Sequence, residues 1–139
     1  MTDTVLTDDL LEKLRASDSF ATYDEQVPDL PTDLPSYLQE LLDEKGLSKA
    51  DVIRDARLNE TFGYQIFSGS RNPSRDKIIQ LAFGMNATFT ETQRMLKRAG
   101  VNELYVKNRR DAIIIFCIDH GFGLNQTNDE LFKLNEHTI

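Results

Sequence analysis

The sequence predicts an all-α protein. Apolar residues recur at helical spacing from Tyr37 onward, cap residues and glycines break that pattern at helix-length intervals, and no stretch alternates strictly enough for a strand. The predicted organisation is an acidic N-terminal extension over residues 1–34, a five-helix domain over 35–100 and a helical hairpin over 101–139.

Thr7–Ala16 reads as a short helix, with Thr7 as N-cap, Asp8 and Asp9 in its first turn and Leu10, Leu11 and Leu14 on one face. From Ser17 to Pro35 the periodicity disappears. Pro28, Pro31 and Pro35, set among aspartates, make an extended linker there. Tyr37, Leu38, Leu41 and Leu42 then form an apolar stripe ended by Gly46. A second core helix starts at Ser48, whose hydroxyl caps while Asp51 reaches back, and it buries Val52, Ile53 and Ala56. Asn59 caps a third, which runs to Phe67 and is closed by Gly69. Pro73-Ser74 opens a fourth, with Ile78, Ile79 and Ala82 inward and Gly84 at its end. Thr88 and Glu91 make a capping box for a fifth, carrying Phe89, Met95, Leu96 and Ala99 up to Gly100. Helices over Arg109–His120 and Gln126–Lys133 follow. The first contains Ala112–Ile118, apolar on all sides, so it needs cover from several neighbours or from a second copy of the chain.

Composition narrows the function classes. The chain has 139 residues, 40% of them apolar and 28% charged, as in a globular protein of one domain with an added segment. Its longest apolar run falls far short of the roughly 20 residues that a membrane span requires. The first residues are acidic where a secretory leader is basic, so no leader is expected. A single cysteine, Cys117, precludes an intrachain disulfide and points to a reducing cytoplasm, where it serves as a small buried hydrophobe. The net charge of −7 conceals an asymmetry. Residues 1–44 hold 12 acids against Lys13 and Arg15, whereas residues 45–139 hold 11 acids against 14 bases. An acidic extension on a mildly basic body is either a solubilising tail or a competitor for an anionic partner's site.

The segment between Leu47 and Ser74 carries the functional signal. Two short helices separated only by Arg57, Leu58 and Asn59 must cross steeply, so the second protrudes. Thr61, Tyr64, Gln65 and Ser68 fall on one side of that second helix, and Phe62, Gly63, Ile66 and Phe67 on the other. The outward side lacks the Glu/Lys ladder of an ordinary solvated helix. It offers hydroxyls and an amide, which hydrogen-bond base edges and phosphates in a major groove about 12 Å wide.

Leu47-Ser-Lys-Ala-Asp-Val-Ile-Arg-Asp-Ala56, followed by Leu58, Thr61, Ile66, Gly69 and Arg71-Asn-Pro-Ser74, resembles the lambda-repressor-like (Xre-type) helix-turn-helix domain. Tyr64–Gly69, Arg71–Lys77 and Arg109–Phe116 also look like small Firmicute regulators of this type. The resemblance implies a five-helix domain over residues 35–100 that binds double-stranded DNA, with Glu60, Thr61, Tyr64 and Gln65 at bases. It further implies that Lys49, Ser68 and Arg71 meet the DNA backbone. The clustering of Arg71, Arg75 and Lys77 beside the polar face independently suggests phosphate contacts, with Asn72 in the same loop. Three positions depart from the family pattern. Arg57 stands where the family has a glycine at positive φ, Gly63 replaces a bulkier residue and leaves room for Phe62 or Tyr64, and Glu60 puts an acid beside phosphates.

Catalysis finds no support in the sequence. His120 and His137 lack neighbours at metal-ligand spacing, His120 reads as a favourable charge at a helix end, and no cofactor is expected. The expected function is sequence-specific transcriptional regulation through helix 60–67. A protein-interaction adaptor that retains the scaffold without DNA binding is the alternative. A homodimer, or a protein partner held by the extension or the hairpin, stays open beside both.

Overall fold

A computed structural model describes residues 33–139; the helix expected at Thr7–Ala16 and the proline-containing linker lie outside them. Among the described residues there are seven helices and no strand. They are α1 (Leu34–Lys45), α2 (Lys49–Asp55), α3 (Glu60–Ser68), α4 (Arg75–Gly84), α5 (Phe89–Arg98), α6 (Arg109–Asp119) and α7 (Leu124–Lys133).

Most of these helices start where a side chain can satisfy a free backbone N–H. Asp33 accepts from Ser36 N at 2.8 Å, and hydrogen bonding from the Ser36 side chain and then its backbone holds the carboxyl below the usual range. Ser48 accepts from Asp51 N, Asn59 from Phe62 N and Asn108 from Asp111 N, at 3.2, 3.1 and 3.0 Å. Thr88 and Glu91 cap each other's backbone in a complete capping box. Asp51 does not reach back to Ser48; its carboxylate turns to Arg54 instead. Gly46 and Gly69 close α1 and α3 in the left-handed conformation.

Three element ends differ from the sequence reading. Leu34, assigned to the extension, is the first residue of α1 and is buried in the core. The second helix of the C-terminal pair starts at Leu124 rather than Gln126, because Gly123 takes the N-cap position. Gly84 does not turn the chain out of α4; Met85 is the cap, and Asn86 takes the left-handed conformation at φ 53°. Gly84 is there for space instead. A Cβ on it would lie 2.6 Å from the Val52 carbonyl oxygen and 2.7 Å from the Ala56 Cβ.

α4 is the hub, packing against α2, α5 and α7, while α3 packs on α1 and α2, and α6 on α5 and α7. Leu38, Ile66, Ile78, Ile79, Met95 and Leu96 are fully buried at the centre, and Ile114 and Leu131 from α6 and α7 belong to the same core. Burying such side chains contributes roughly 1.5–3 kcal/mol each. No buried side-chain nitrogen or oxygen among the described residues lacks a hydrogen-bond partner. Cys117 is buried, and that burial pushes its thiol pKa up. No helix among these residues is long and apolar enough to cross a membrane. The apolar segment of α6 is not covered on every side: Ile114 and Cys117 are buried, but Phe116 is 52% exposed and stacks on His120 at 3.9 Å.

Arg57, in the connection between α2 and α3, adopts φ 58°. A side chain in this region costs about 1 kcal/mol relative to glycine. Arg57→Gly is therefore expected to raise the unfolding free energy by up to about 1 kcal/mol, read from urea melts. An unchanged or lower stability would mean that the arginine makes up the difference through contacts.

Candidate nucleic-acid interface

α3 is held by its apolar side. Gly63, Ile66 and Phe67 are buried and Phe62 is half-buried, whereas Glu60, Thr61, Tyr64 and Ser68 are exposed and Gln65 is half-exposed. Gly63 is small because α2 lies against it. A Cβ there would come within 2.7 Å of two Ile53 carbons, so the space goes to Ile53 rather than to Phe62 or Tyr64. Glu60 stands at the N-terminus of α3, where the helix dipole favours a carboxylate.

Lys49 joins Glu60, Thr61, Tyr64, Gln65 and Ser68 around one open groove of about 530 Å³. Ser68 also borders a second cleft of about 460 Å³, whose walls include Arg71 and Asn72. The loop between α3 and α4 is tied to the helix end through one oxygen. The Gln65 carbonyl accepts from the N–H groups of Ser70 and Arg71 at 3.0 and 3.3 Å and from the Ser68 hydroxyl at 3.1 Å. The Ser68 hydroxyl is therefore engaged within the protein, and it also meets the Ser70 hydroxyl at 3.0 Å. Its proton helps hold this loop.

The cations fall into two groups. Lys49, Arg71 and Lys77 form no ion pair among the described residues. Two of them are steadied by aromatic rings: the Lys49 Nζ lies 5.8 Å from the Phe67 ring centre and the Arg71 guanidinium 5.6 Å from that of Phe62. Phe62 and Phe67 thus support the site from beneath, a role their positions on the apolar side hid.

Arg75, expected at a phosphate, belongs to the other group and is paired within the protein. Its guanidinium forks onto the two Asp111 carboxylate oxygens at 2.9 and 2.7 Å and donates to the Asn102 and Glu103 carbonyls at 2.8 and 3.0 Å. Four of its five N–H donors are thereby used within the protein. Arg110 makes the reciprocal fork onto Asp76, with both bonds at 3.0 Å. The sequence does contain a sign of this exchange, the dipeptide Arg-Asp at both 75–76 and 110–111. Reading it requires knowing that two helix starts lie side by side.

This surface combines hydroxyl, amide and carboxylate groups on the exposed side of a helix with Lys49 and Arg71, which form no ion pair among the described residues. Such groups hydrogen-bond base edges and neutralise phosphates. Among the described residues, no group of three or more His, Cys, Asp or Glu side chains could hold a metal ion. No family model, curated protein or solved structure matches the chain.

Proposed function

We propose that the protein is a sequence-specific, DNA-binding transcriptional regulator of the cytoplasm that inserts α3 into a major groove. In this reading α1–α5 form a lambda-repressor-like domain, with α2 and α3 as its helix-turn-helix. Glu60, Thr61, Tyr64 and Gln65 face base edges, and Lys49, Arg71, Asn72 and Lys77 meet the backbone. Ser68 shapes the loop between them, and two copies act on paired half-sites. The observation that carries the proposal is that, among the described residues, Lys49 and Arg71 have no carboxylate partner beside an exposed polar helix face.

Selection of preferred sites from random duplex DNA, followed by fluorescence-anisotropy titrations at two salt concentrations, tests it. The full chain should lose affinity steeply with salt, log K falling by about 0.9 per phosphate neutralised. Arg71→Ala should weaken binding to every duplex alike and flatten that slope, whereas Gln65→Ala should change which sites are preferred. No binding at low salt would favour the adaptor, for which Phe132, 78% exposed on α7, offers an apolar contact.

A further inference from the structure

The loop between α5 and α6 projects Tyr105 and Val106 into solvent, 54% and 68% exposed, followed by exposed Lys107, Asn108 and Arg109. Exposed loop tips of this composition are ordinarily loose, yet this one is held by Gln93, Asp111 and Arg75 from outside and by a turn of its own. The Gln93 side-chain amide both donates to and accepts from the Leu104 backbone, at 2.9 and 2.7 Å. Leu104 is buried, Tyr105 N donates to Asp111 at 3.0 Å, and Asn108 N closes a turn onto the Tyr105 carbonyl at 2.9 Å. Arg75 then holds the Asn102 and Glu103 carbonyls.

That last anchor sets where the loop lies. Arg75 directly follows Arg71-Asn-Pro-Ser74, so the loop is attached within one side-chain length of the far end of the candidate interface. Arg75 lies four positions beyond Arg71, a span of at most about 14 Å. The tip itself, residues 104–110, holds the bases Lys107, Arg109 and Arg110 and no acid. Asp111 and Asp76 are neutralised by Arg75 and Arg110, Lys107 has no ion-pair partner among the described residues, and Arg109 meets Glu136 only at 4.0 Å with its side chain 63% exposed.

We propose that Tyr105–Arg109 is a second contact on the same DNA, gripping the sugar–phosphate backbone that flanks the base pairs under α3. Lys107 and Arg109 neutralise phosphates, and Tyr105 and Val106 lie against deoxyribose. The contact carries no base preference; it lengthens the footprint. Because the loop is already held in place, binding costs little ordering entropy. This inference rests on the DNA-binding reading of α3.

The test compares the full chain with a Lys107→Ala/Arg109→Ala variant on duplexes carrying the selected site with either 2 or 10 flanking base pairs, about the range a lengthened footprint should separate. The unaltered protein should bind the longer duplex roughly 5–10-fold more tightly, and the variant should lose this preference. Its salt slope on the longer duplex should fall by about 1.8, two phosphates' worth. Hydroxyl-radical footprinting with the unaltered protein should protect sugars beyond the selected site, independently of any variant. Equal length dependence in both proteins, or protection confined to the site, overturns the loop contact and leaves the role of α3 intact. If the unaltered protein binds no duplex at low salt, both readings fall together.

Discussion

Replacing Arg75 with alanine is expected to lower the free energy of unfolding by about 3–5 kcal/mol, the range for removing one partner of a buried ion pair. Asp111 is the reason. Its side chain is only 7% exposed, and without the guanidinium its carboxylate keeps just the Tyr105 N–H from across the loop. The Asn102 and Glu103 carbonyls lose their donor at the same time. Lysine should not rescue the loss, because one ammonium cannot span the two carboxylate oxygens as the planar fork does. Arg54, whose pairs with Asp51 and Asp55 are more than half exposed, supplies the contrast, and its alanine variant should change stability by about 0.5 kcal/mol or less. Urea unfolding followed by circular dichroism measures both variants. In a double-mutant cycle, Arg75→Ala with Asp111→Ala should be less damaging than the two single losses added. A loss under about 1 kcal/mol for Arg75→Ala alone would mean that water replaces the arginine at Asp111.

Gly84→Ala is expected to destabilise by about 2–3 kcal/mol, the cost of overpacking a filled core. In an exposed helix the same change stabilises by roughly 1 kcal/mol, so the sign of the effect is itself the test. The atoms in the way are the Val52 carbonyl oxygen at 2.6 Å, the Ala56 Cβ at 2.7 Å and the Ala56 nitrogen at 2.9 Å. Two of these are backbone, and backbone moves only by shifting α2 as a body. That shift would also strain the bond from the buried Gln80 amide to the Ala56 carbonyl, now 3.0 Å. Gly63→Ala should be milder, since the nearest atoms opposing it all belong to the Ile53 side chain rather than to backbone. A Gly84→Ala protein that melts at or above the unaltered temperature would mean that α2 and α4 separate at little cost.

The features readable from the sequence are those governed by neighbours along the chain. Ser48, Asn59 and Thr88 with Glu91 cap helices within three or four residues of themselves, so their partners are visible in one window. The two sides of α3 follow from its period in the same way, and Tyr64 and Gln65 lie on the expected side. What could not be read depends on distant partners. Arg75 looks like a free cation until Asp111, 36 residues later, is brought beside it. Gly84 looks like a helix stop because its missing side chain has meaning only once α2 is known to cross there. Phe116 counts as core in any apolar tally, yet among the described residues α6 packs on α5 and α7 and leaves Phe116 exposed.

The crossed exchange, in which each arginine holds the aspartate that follows the other, has a mechanical consequence. Pulling the start of α4 away from the start of α6 breaks both forks in the same movement, so neither helix end can fray while the other stays closed. The last third of the chain is thereby bolted to the loop that follows α3, and a push on either is transmitted to the other without slack.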